Sequence, residues 1–292
     1  MALTVATSLV AGMACGAAGT PPAPIAPMFG NAVNLGSAVN SPDFDGGPSI
    51  SADGLVLYFV TDRDVANGGE IWTASRQTTA ETLGMPQKLR GPVNSSANEG
   101  APSISADGLE LFFDRAPDGR IFVATRPNTN QLFGAAAIVD LGNGECCDGF
   151  PSVSADGLEL YFCSTRAGGF GGSDVWVARR SSRSSPFAAP RNLGPMLNSP
   201  ANDCEPGISK DGLTLLIESD RSGGMGGPDV WISTRTTRSQ PFGKPVNLGG
   251  GVNTGFFDER PDISADGTVL YFMSNRPGGS GFFDLWKAVR TL

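Results

Sequence analysis

The chain has 292 residues, a net charge of −8, 40 Gly, 22 Pro and no His. Nucleic-acid-binding proteins usually present a basic surface, so this acidic balance argues against a DNA or RNA partner. The lack of His excludes Ser-His-Asp catalysis, Cys-His catalysis and His-ligated metals. Helix signals are nearly absent, and the Gly and Pro content is typical of an all-β chain with many turns.

The N-terminal segment differs from the rest of the chain because residues 1–42 carry no charged side chain. Residues 1–18 are small and apolar, which we interpret as an export signal or, alternatively, as a disordered tail. Residues 19–27 are rich in Pro, which favours an extended tether. Cys15 is a candidate site for a lipid anchor. After the signal no apolar segment is long enough to span a bilayer, so residues 28–292 are expected to form one domain.

One motif organises the remainder of the chain. It begins at Pro48 as PSISADGLVLYFVTDR and returns at Pro102, Pro151, Pro206 and Pro261. The spacing between successive copies is 49 to 55 residues. A period of this length is typical of repeated supersecondary units.

Each repeat predicts four short strands. In the first repeat, residues 48–50 and 55–59 have strand composition, and the intervening Ser-Ala-Asp-Gly has the composition of a turn. A third strand follows a Gly-rich link and carries Trp, or Phe122 in the second repeat. A fourth strand ends in Asn-Leu-Gly in most repeats. Four antiparallel strands per repeat are typical of a propeller blade.

The two ends of the repeat region are complementary. Residues 286–290 form a third strand with no fourth strand after it, and residues 29–36 have the sequence of a fourth strand with no blade before it. The N-terminal strand is expected to complete the last blade, because closing the ring removes exposed sheet edges. The prediction is an all-β protein with a single five-bladed β-propeller.

Three sequence patterns also carry a family resemblance. The S-x-D-G-x-x-L-Y-F core, the G-G-x-G-G-x-D-[VL]-W link and the N-L-G-x-x-[VL]-N-[ST] exit resemble the WD-repeat-like propeller repeats of TolB. They are similar as well to the propeller repeats linked to OmpA-type domains in bacterial envelope proteins. The resemblance covers residues 29–290. Together with the predicted export signal, it favours a bacterial protein that is periplasmic, outer-membrane-associated or extracellular, and we expect a monomer. The resemblance names no partner, because propellers of this kind bind many different molecules.

Two charged positions recur in every blade: an acid three residues before the motif Pro, and an Arg at the end of the second strand. In blade order the pairs are Asp45 with Arg63, Glu99 with Arg115, Asp148 with Arg166, Asp203 with Arg221, and Asp258 with Arg276. Because every blade has them, we interpret them as bidentate structural ion pairs. The alternative is an anionic ring at the channel mouth that holds a cation or a basic group of a partner.

The cysteines lack metal-ligand spacing, so neither a metal site nor a cofactor is expected, apart from the cation that such a ring could hold. Cys146, Cys147 and Cys204 precede the first strands of blades 3 and 4. This position predicts a disulfide from Cys204 to Cys147 or Cys146 in an oxidising compartment. Cys163 ends a strand and is interpreted as a buried apolar residue.

Residues that break the repeat are better candidates for function. Blade 2 has a short link between its second and third strands, which predicts a notch on the face where the blade-to-blade links emerge, here called the loop face. Other loops of this face carry Phe44, Phe150, Phe170, Met225, Phe256, Phe257, Phe282 and Phe283. We predict that Phe44, Phe150, Phe256 and Phe257 form a binding surface with Asp118 and Arg120 at its rim. Alternatively, each Phe packs over the edge of its own blade.

The sequence favours a non-catalytic binding or scaffold module that recognises a protein or a glycan. The alternative is a carboxylate-dependent glycoside hydrolase, which needs two acids in different environments. The repeated acids are near-equivalent, and a neighbouring Arg would keep each one ionised, whereas a general acid must hold a proton. Glu205 and Asp262 are acids outside the repeated position, and they keep the hydrolase alternative open.

Overall fold

The computed structural model describes residues 29–64, 68–116, 119–142 and 148–291. These residues form twenty strands in five antiparallel four-stranded sheets. Within the same ranges, no helix is long and apolar enough to cross a membrane. The predicted signal (residues 1–18), the tether (residues 19–27) and the candidate anchor Cys15 lie outside the described residues, as do Asp118, Cys146 and Cys147.

Each sheet is one blade, and its strands follow one another from the centre of the ring to the outer edge. Blade 1 is β2 (Asp45–Ile50), β3 (Val56–Thr61), β4 (Glu70–Ser75) and β5 (Gln87–Lys88); blade 2 is β6 (Asn98–Ile104), β7 (Glu110–Ala116), β8 (Arg120–Thr125) and β9 (Ala137–Ile138). Blade 3 is β10 (Asp148–Val153), β11 (Glu159–Ser164), β12 (Asp174–Arg179) and β13 (Arg191–Asn192); blade 4 is β14 (Asp203–Ile208), β15 (Thr214–Ser219), β16 (Asp229–Thr234) and β17 (Val246–Asn247). Blade 5 is β18 (Asp258–Ile263), β19 (Val269–Ser274), β20 (Asp284–Val289) and the N-terminal β1 (Val33–Asn34).

The recurring S-x-D-G sequence forms the turn between the first two strands of each blade. In blade 1, the Ser51 hydroxyl donates to the Asp53 carboxylate at 2.6 Å, and the same carboxylate accepts the Leu55 N–H at 3.0 Å. Gly54 completes the turn at a φ of +72°, which a residue with a Cβ adopts only at a cost. The motif is therefore a local folding signal, and its repetition reflects repeated turn geometry.

The N-terminal strand closes the ring, as the complementary chain ends predict. Val33 of β1 pairs with Lys287 of β20, and Phe29 forms an isolated bridge with Arg290. The Phe29 side chain is only 6% exposed and packs in a core cluster that includes Trp286. Closure thus rests on buried apolar packing as well as on strand pairing, and the predicted five-bladed propeller is confirmed.

The first strands of the five blades contact one another around the axis. A repeated hydrogen bond links them: the Ile104 N–H donates to the Ser49 hydroxyl of the preceding blade at 3.2 Å. At the closing junction the acceptor is the buried Asp262 carboxylate, which takes the Ile50 N–H at 2.7 Å. Asp262 therefore has a structural role in joining blade 5 to blade 1.

The disulfide differs from the one predicted. Cys204 bonds to Cys163, with their Cα atoms 4.9 Å apart, and both side chains are buried. The predicted bond from Cys204 to Cys147 or Cys146 is wrong in its partner. The reason lies in blade packing, because β11, which carries Cys163, lies directly against β14, which carries Cys204. The bond joins blades 3 and 4.

Removing this bond should destabilise the protein. The bond joins residues 41 positions apart, and a closed loop of this size restricts the unfolded chain enough to contribute about 2–4 kcal/mol. The double substitution Cys163→Ser and Cys204→Ser should lower the free energy of unfolding by that amount in urea titrations. Mass mapping of the non-reduced protein should recover the Cys163–Cys204 peptide pair. Recovery of Cys204 joined to Cys146 or Cys147 would contradict the assignment.

Closure of the ring can be tested with two substitutions in the N-terminal segment. Phe29→Ala should cost about 3–5 kcal/mol, because it leaves a cavity in the last blade junction. Val33, which is 59% exposed, supplies the matched control, and Val33→Ala should change the stability by no more than about 0.5 kcal/mol. Chemical denaturation measures both values. Equal small effects would mean that closure contributes little to stability.

Candidate binding site on the loop face

The repeated acids and arginines form ion pairs in all five blades. The shortest N–O distances are 2.6 Å for Asp45 with Arg63, 2.9 Å for Glu99 with Arg115 and 2.6 Å for Asp148 with Arg166, and Asp203 with Arg221 and Asp258 with Arg276 are also in direct contact. Each acid meets its arginine through a single contact, so the predicted bidentate geometry is wrong. In blade 1 the guanidinium also donates to the Thr61 hydroxyl at 3.1 Å and to the Val39 carbonyl at 2.7 Å.

These five acids lie beneath the loops. The Asp45, Glu99, Asp203 and Asp258 side chains are 0% exposed, and that of Asp148 is 7% exposed. The four fully buried carboxylates have no solvent-exposed face for an external cation, whereas Oδ1 of Asp148 is buried without a hydrogen-bond partner among the described residues. The burial of these five acids agrees with their interpretation as structural ion pairs. They do not form an open anionic ring at the channel mouth.

The stability of one buried pair can be compared with that of an exposed pair. Asp203→Ala should cost about 3–5 kcal/mol, because the Arg221 charge would stay partly buried without its partner. On the opposite face Asp156 meets Arg238 at 2.6 Å, with side chains 35% and 42% exposed. Arg238→Ala should cost less than about 1 kcal/mol, since exposed pairs contribute little and the turn hydrogen bonds from Ser154 and Leu158 to Asp156 stay in place. Thermal and urea denaturation would measure both losses of stability. Equal losses would contradict the interpretation of the repeated pairs as structural.

The residues just before the motif prolines meet at the axis of the ring. They are Gly47, Ala101, Phe150, Glu205 and Arg260, and together with the prolines they line one small cavity of about 30 Å³. All five have a positive φ, between 40° and 60°. For residues other than Gly this left-handed conformation costs about 1–2 kcal/mol each. Such strain often marks functional positions.

Arg260 reaches across the axis to residues of other blades. Its Nε donates to the Glu205 carboxylate at 3.1 Å, and its backbone N–H donates to the same carboxylate at 2.8 Å. Its guanidinium carbon lies 4.9 Å from the centre of the Phe150 ring and 5.8 Å from that of Phe44. A protein guanidinium thus takes the axial position where the sequence allowed for a bound cation.

Further acids surround Arg260. We call Asp114, Glu205, Glu218, Glu259 and Arg260 the acidic mouth. Asp114 and Glu218 occupy the same position of the second strand in blades 2 and 4, paired with Gly100 and Cys204. A Cβ on Gly100 would come within 2.0 Å of the Asp114 carboxylate, so a glycine there makes room for the acid. Asp114 in turn accepts the Phe150 N–H at 2.9 Å.

The environment of these carboxylates favours their protonated forms. Burial raises the pKa of Asp114 and that of Glu205, although Arg260 opposes the rise at Glu205. Burial and the neighbouring charges of Glu205 and Glu259 raise the pKa of Glu218 well above its usual value. Burial and Glu205 raise the pKa of Glu259 to about 7. Four carboxylates share one guanidinium, so the acidic mouth has a deficit of positive charge.

An exposed group of phenylalanine rings lies beside the acidic mouth. We call Phe44, Phe257, Phe282 and Phe283 the aromatic patch. The Phe283 ring centre lies 5.9 Å from that of Phe44, 6.3 Å from that of Phe257 and 5.1 Å from that of Phe282. Phe282 is 73% exposed and Phe257 is 44% exposed, whereas Phe283 is buried beneath them. The rings join the loops of blade 5 to the link that enters blade 1.

Other blades fold without these rings. At the positions of Phe282 and Phe283, blade 3 has Gly172 and Ser173, and blade 4 has Gly and Pro. The blade architecture therefore does not require the aromatic side chains. The alternative prediction was that each Phe packs over the edge of its own blade. The buried Phe283 is consistent with it, but the exposed Phe282 is not.

The other predicted site residues are dispersed. Phe256 is 43% exposed and precedes Phe257, while Phe150 lies at the axis against Arg260. Arg120 lines a separate cleft of blade 2 with Ile138 and Asp140. The short blade 2 link borders a cavity of about 390 Å³, which is also lined by Phe150 and the disulfide. Phe44 and Phe257 therefore belong to one surface because both rings contact Phe283. Arg120 lies in a different cleft.

Sequence reasoning missed most of the acidic mouth, although the signal was present. When the five repeats are aligned, the position before the motif Pro reads Gly, Ala, Phe, Glu and Arg. The facing second-strand position reads Val, Asp, Cys, Glu and Met. The rest of the motif is nearly the same in all five repeats, whereas the residue at these two positions differs from blade to blade. Only the structure shows that both positions point to one mouth.

Comparison with known proteins shows similarity of fold. No protein-family model matches the chain, and no curated protein matches it in sequence. TolB from Acinetobacter baumannii aligns at 16% identity and a TM-score of 0.53, over 85% of this chain and 55% of that chain. The present chain therefore spans only about half the length of that TolB.

Glycoside hydrolases share the same architecture. The catalytic domain of a Coprinopsis cinerea GH62 α-L-arabinofuranosidase aligns at 14% identity and a TM-score of 0.58, over 91% of this chain and 98% of that chain. A thermostable family-43 glycoside hydrolase aligns at 12% identity and a TM-score of 0.57, over 87% and 91%. At such identities the likeness establishes the five-bladed, TolB-type propeller fold and leaves the activity to the site itself.

Proposed function

We propose that this propeller is a non-catalytic binding module that recognises a protein partner with its loop face, at the junction of blades 5 and 1. The aromatic patch is the observation that carries the proposal. Exposed aromatic rings gain most when a partner covers them, and such rings supply much of the energy at protein interfaces. The rings of the aromatic patch lie together at one junction, which makes the surface asymmetric, as recognition of one partner requires.

The proposed location is outside the cytoplasm, in the bacterial envelope or beyond it. The Cys163–Cys204 disulfide supports export, because such bonds persist mainly in oxidising compartments. The fold shared with TolB is consistent with this location. The uncharged N-terminal segment would supply the export signal, with Cys15 as a candidate lipid anchor.

The proposal is tested by capture of partners from a bacterial envelope extract. The variant with Phe257→Ser and Phe282→Ser should lose its specific partner, because two exposed anchors are removed. Leu132→Ser is the matched control, since Leu132 is 59% exposed on blade 2, away from the aromatic patch. Quantitative mass spectrometry compares the captured proteins, and thermal melts establish that both variants fold. Equal loss with the control, or no loss with either, would refute the proposed surface.

A glycoside hydrolase remains the second candidate, and one observation favours it. The pKa of Glu259 is raised to about 7 by burial and by the charge of Glu205, as a general acid requires. The space at the axis opposes this candidate, because a cavity of about 30 Å³ holds only about two water molecules. The larger cavity beside the blade 2 link is lined by Asp114 but by neither Glu205 nor Glu259.

The second candidate has its own test. Aryl α-L-arabinofuranosides and xylo-oligosaccharides should not be hydrolysed by the wild-type protein. Hydrolysis that disappears in the isosteric Glu259→Gln variant would establish the enzyme and remove the binding proposal.

A further inference from the structure

We propose that the partner is a polypeptide segment that pairs a lysine or arginine side chain with the partly exposed Glu218 and Glu259 carboxylates of the acidic mouth while its neighbouring apolar side chains cover the aromatic patch. The inference rests on the proposed function and names the chemistry of the partner. It follows from two properties of the loop face, which are the charge of the acidic mouth and its continuity with the aromatic patch.

The acidic mouth contains two carboxylates that remain available. Arg260 engages Glu205, and the Phe150 N–H engages Asp114. Among the residues that the structure describes, the carboxylates of Glu218 and Glu259 form neither a hydrogen bond nor an ion pair. A cation placed between them would supply the opposite charge that the protein itself lacks.

A metal ion is a poor candidate for this position. Within the described ranges, no group of three or more Asp, Glu or Cys side chains is arranged to hold a metal. An ammonium or guanidinium group needs fewer ligands and donates hydrogen bonds directly to carboxylates. A basic side chain therefore fits the available chemistry better than a free ion.

The aromatic patch and the acidic mouth form one continuous surface. Phe257 and Glu259 lie two residues apart where β18 begins, and the Phe44 ring faces both Phe283 and the Arg260 guanidinium. A ligand that fills only the acidic mouth would leave the rings exposed to water. A polypeptide that carries a basic residue next to apolar residues can cover both, which is the charge and shape complementarity found at specific interfaces.

The same groups predict that binding depends on pH. Glu259 faces Glu205, Arg260 and Asp258, and Glu218 faces Glu205, Glu259, Asp220 and Arg260. A bound cation interacts with the ionised carboxylates, and the pKa of Glu259 in the free protein is about 7. As the pH falls from 8 to 5.5 the carboxylate takes up a proton, so affinity for the basic side chain should fall. An apolar ligand would show no such loss.

A random decapeptide library displayed on phage provides the probe. Selection on the wild-type protein at pH 8 should enrich Lys or Arg adjacent to Leu, Phe or other apolar residues. The enriched peptide is then synthesised with its basic residue retained and with norleucine in its place. Fluorescence anisotropy should show about tenfold weaker binding of the norleucine peptide, which is the loss expected when one partly buried charge pair is removed.

Three variants separate the inference from the proposed function. In Glu218→Gln with Glu259→Gln, the two peptides should bind alike, because the preference for the basic residue is lost. In Phe257→Ser with Phe282→Ser, both peptides should weaken together, whereas Leu132→Ser should bind as the wild type does. The Gln substitutions remove like-charge repulsion, so that variant should melt no lower than the wild type.

Each result has a defined consequence. Selection of no peptide, selection without basic residues, or a preference that survives in the Gln variant would overturn the inference. If the preference for the basic residue survives in the Gln variant while the Phe variant weakens both peptides, the inference fails and the proposed function stands. Unchanged binding by the Phe variant would refute the proposed function itself.

Discussion

The five first strands converge on one axis, and the side chains that precede the motif prolines must share the narrow space there. Gly47 and Ala101 are small, which leaves room for Phe150, Glu205 and Arg260 from the other three blades. The Arg260 guanidinium lies across this space and is held by Glu205 on one side and by the Phe150 ring on another. This shared space sets the positions of Glu205 and Arg260, and the Phe150 N–H holds the Asp114 carboxylate beside them.

The strained backbone at the axis is held in place by contacts between blades. Side-chain acceptors on one first strand bind the N–H groups of the next, from Ser49 with Ile104 to Asp262 with Ile50 at the closing junction. The disulfide adds a covalent link beside Glu205. Because strain persists only where the surroundings over-determine the conformation, the closed ring is a precondition for the geometry of the acidic mouth.

Repetition and individuality are divided between different parts of the molecule. The S-x-D-G turns, the buried ion pairs and the Trp positions recur because every blade needs them. The residues at the axis and the rings of the aromatic patch differ between blades that fold in the same way. A closed repeat architecture can therefore vary one end of its axis without losing its core, and this freedom lets a symmetric scaffold present an asymmetric binding surface.

The sequence by itself determined the strands, the number of blades, the closing N-terminal strand and the pairing of repeated acids with repeated arginines. These features depend on local turn chemistry and on periodicity, both of which can be read along one chain. Only the tertiary structure decided the partner of Cys204, because the contact between β11 and β14 depends on how neighbouring blades pack. It alone also brought Asp114, Glu205, Glu218 and Glu259 together, since three blades contribute these acids and their proximity arises when the ring closes. The distance between side chains on different blades is a property of that closure, and no local pattern in the sequence encodes it.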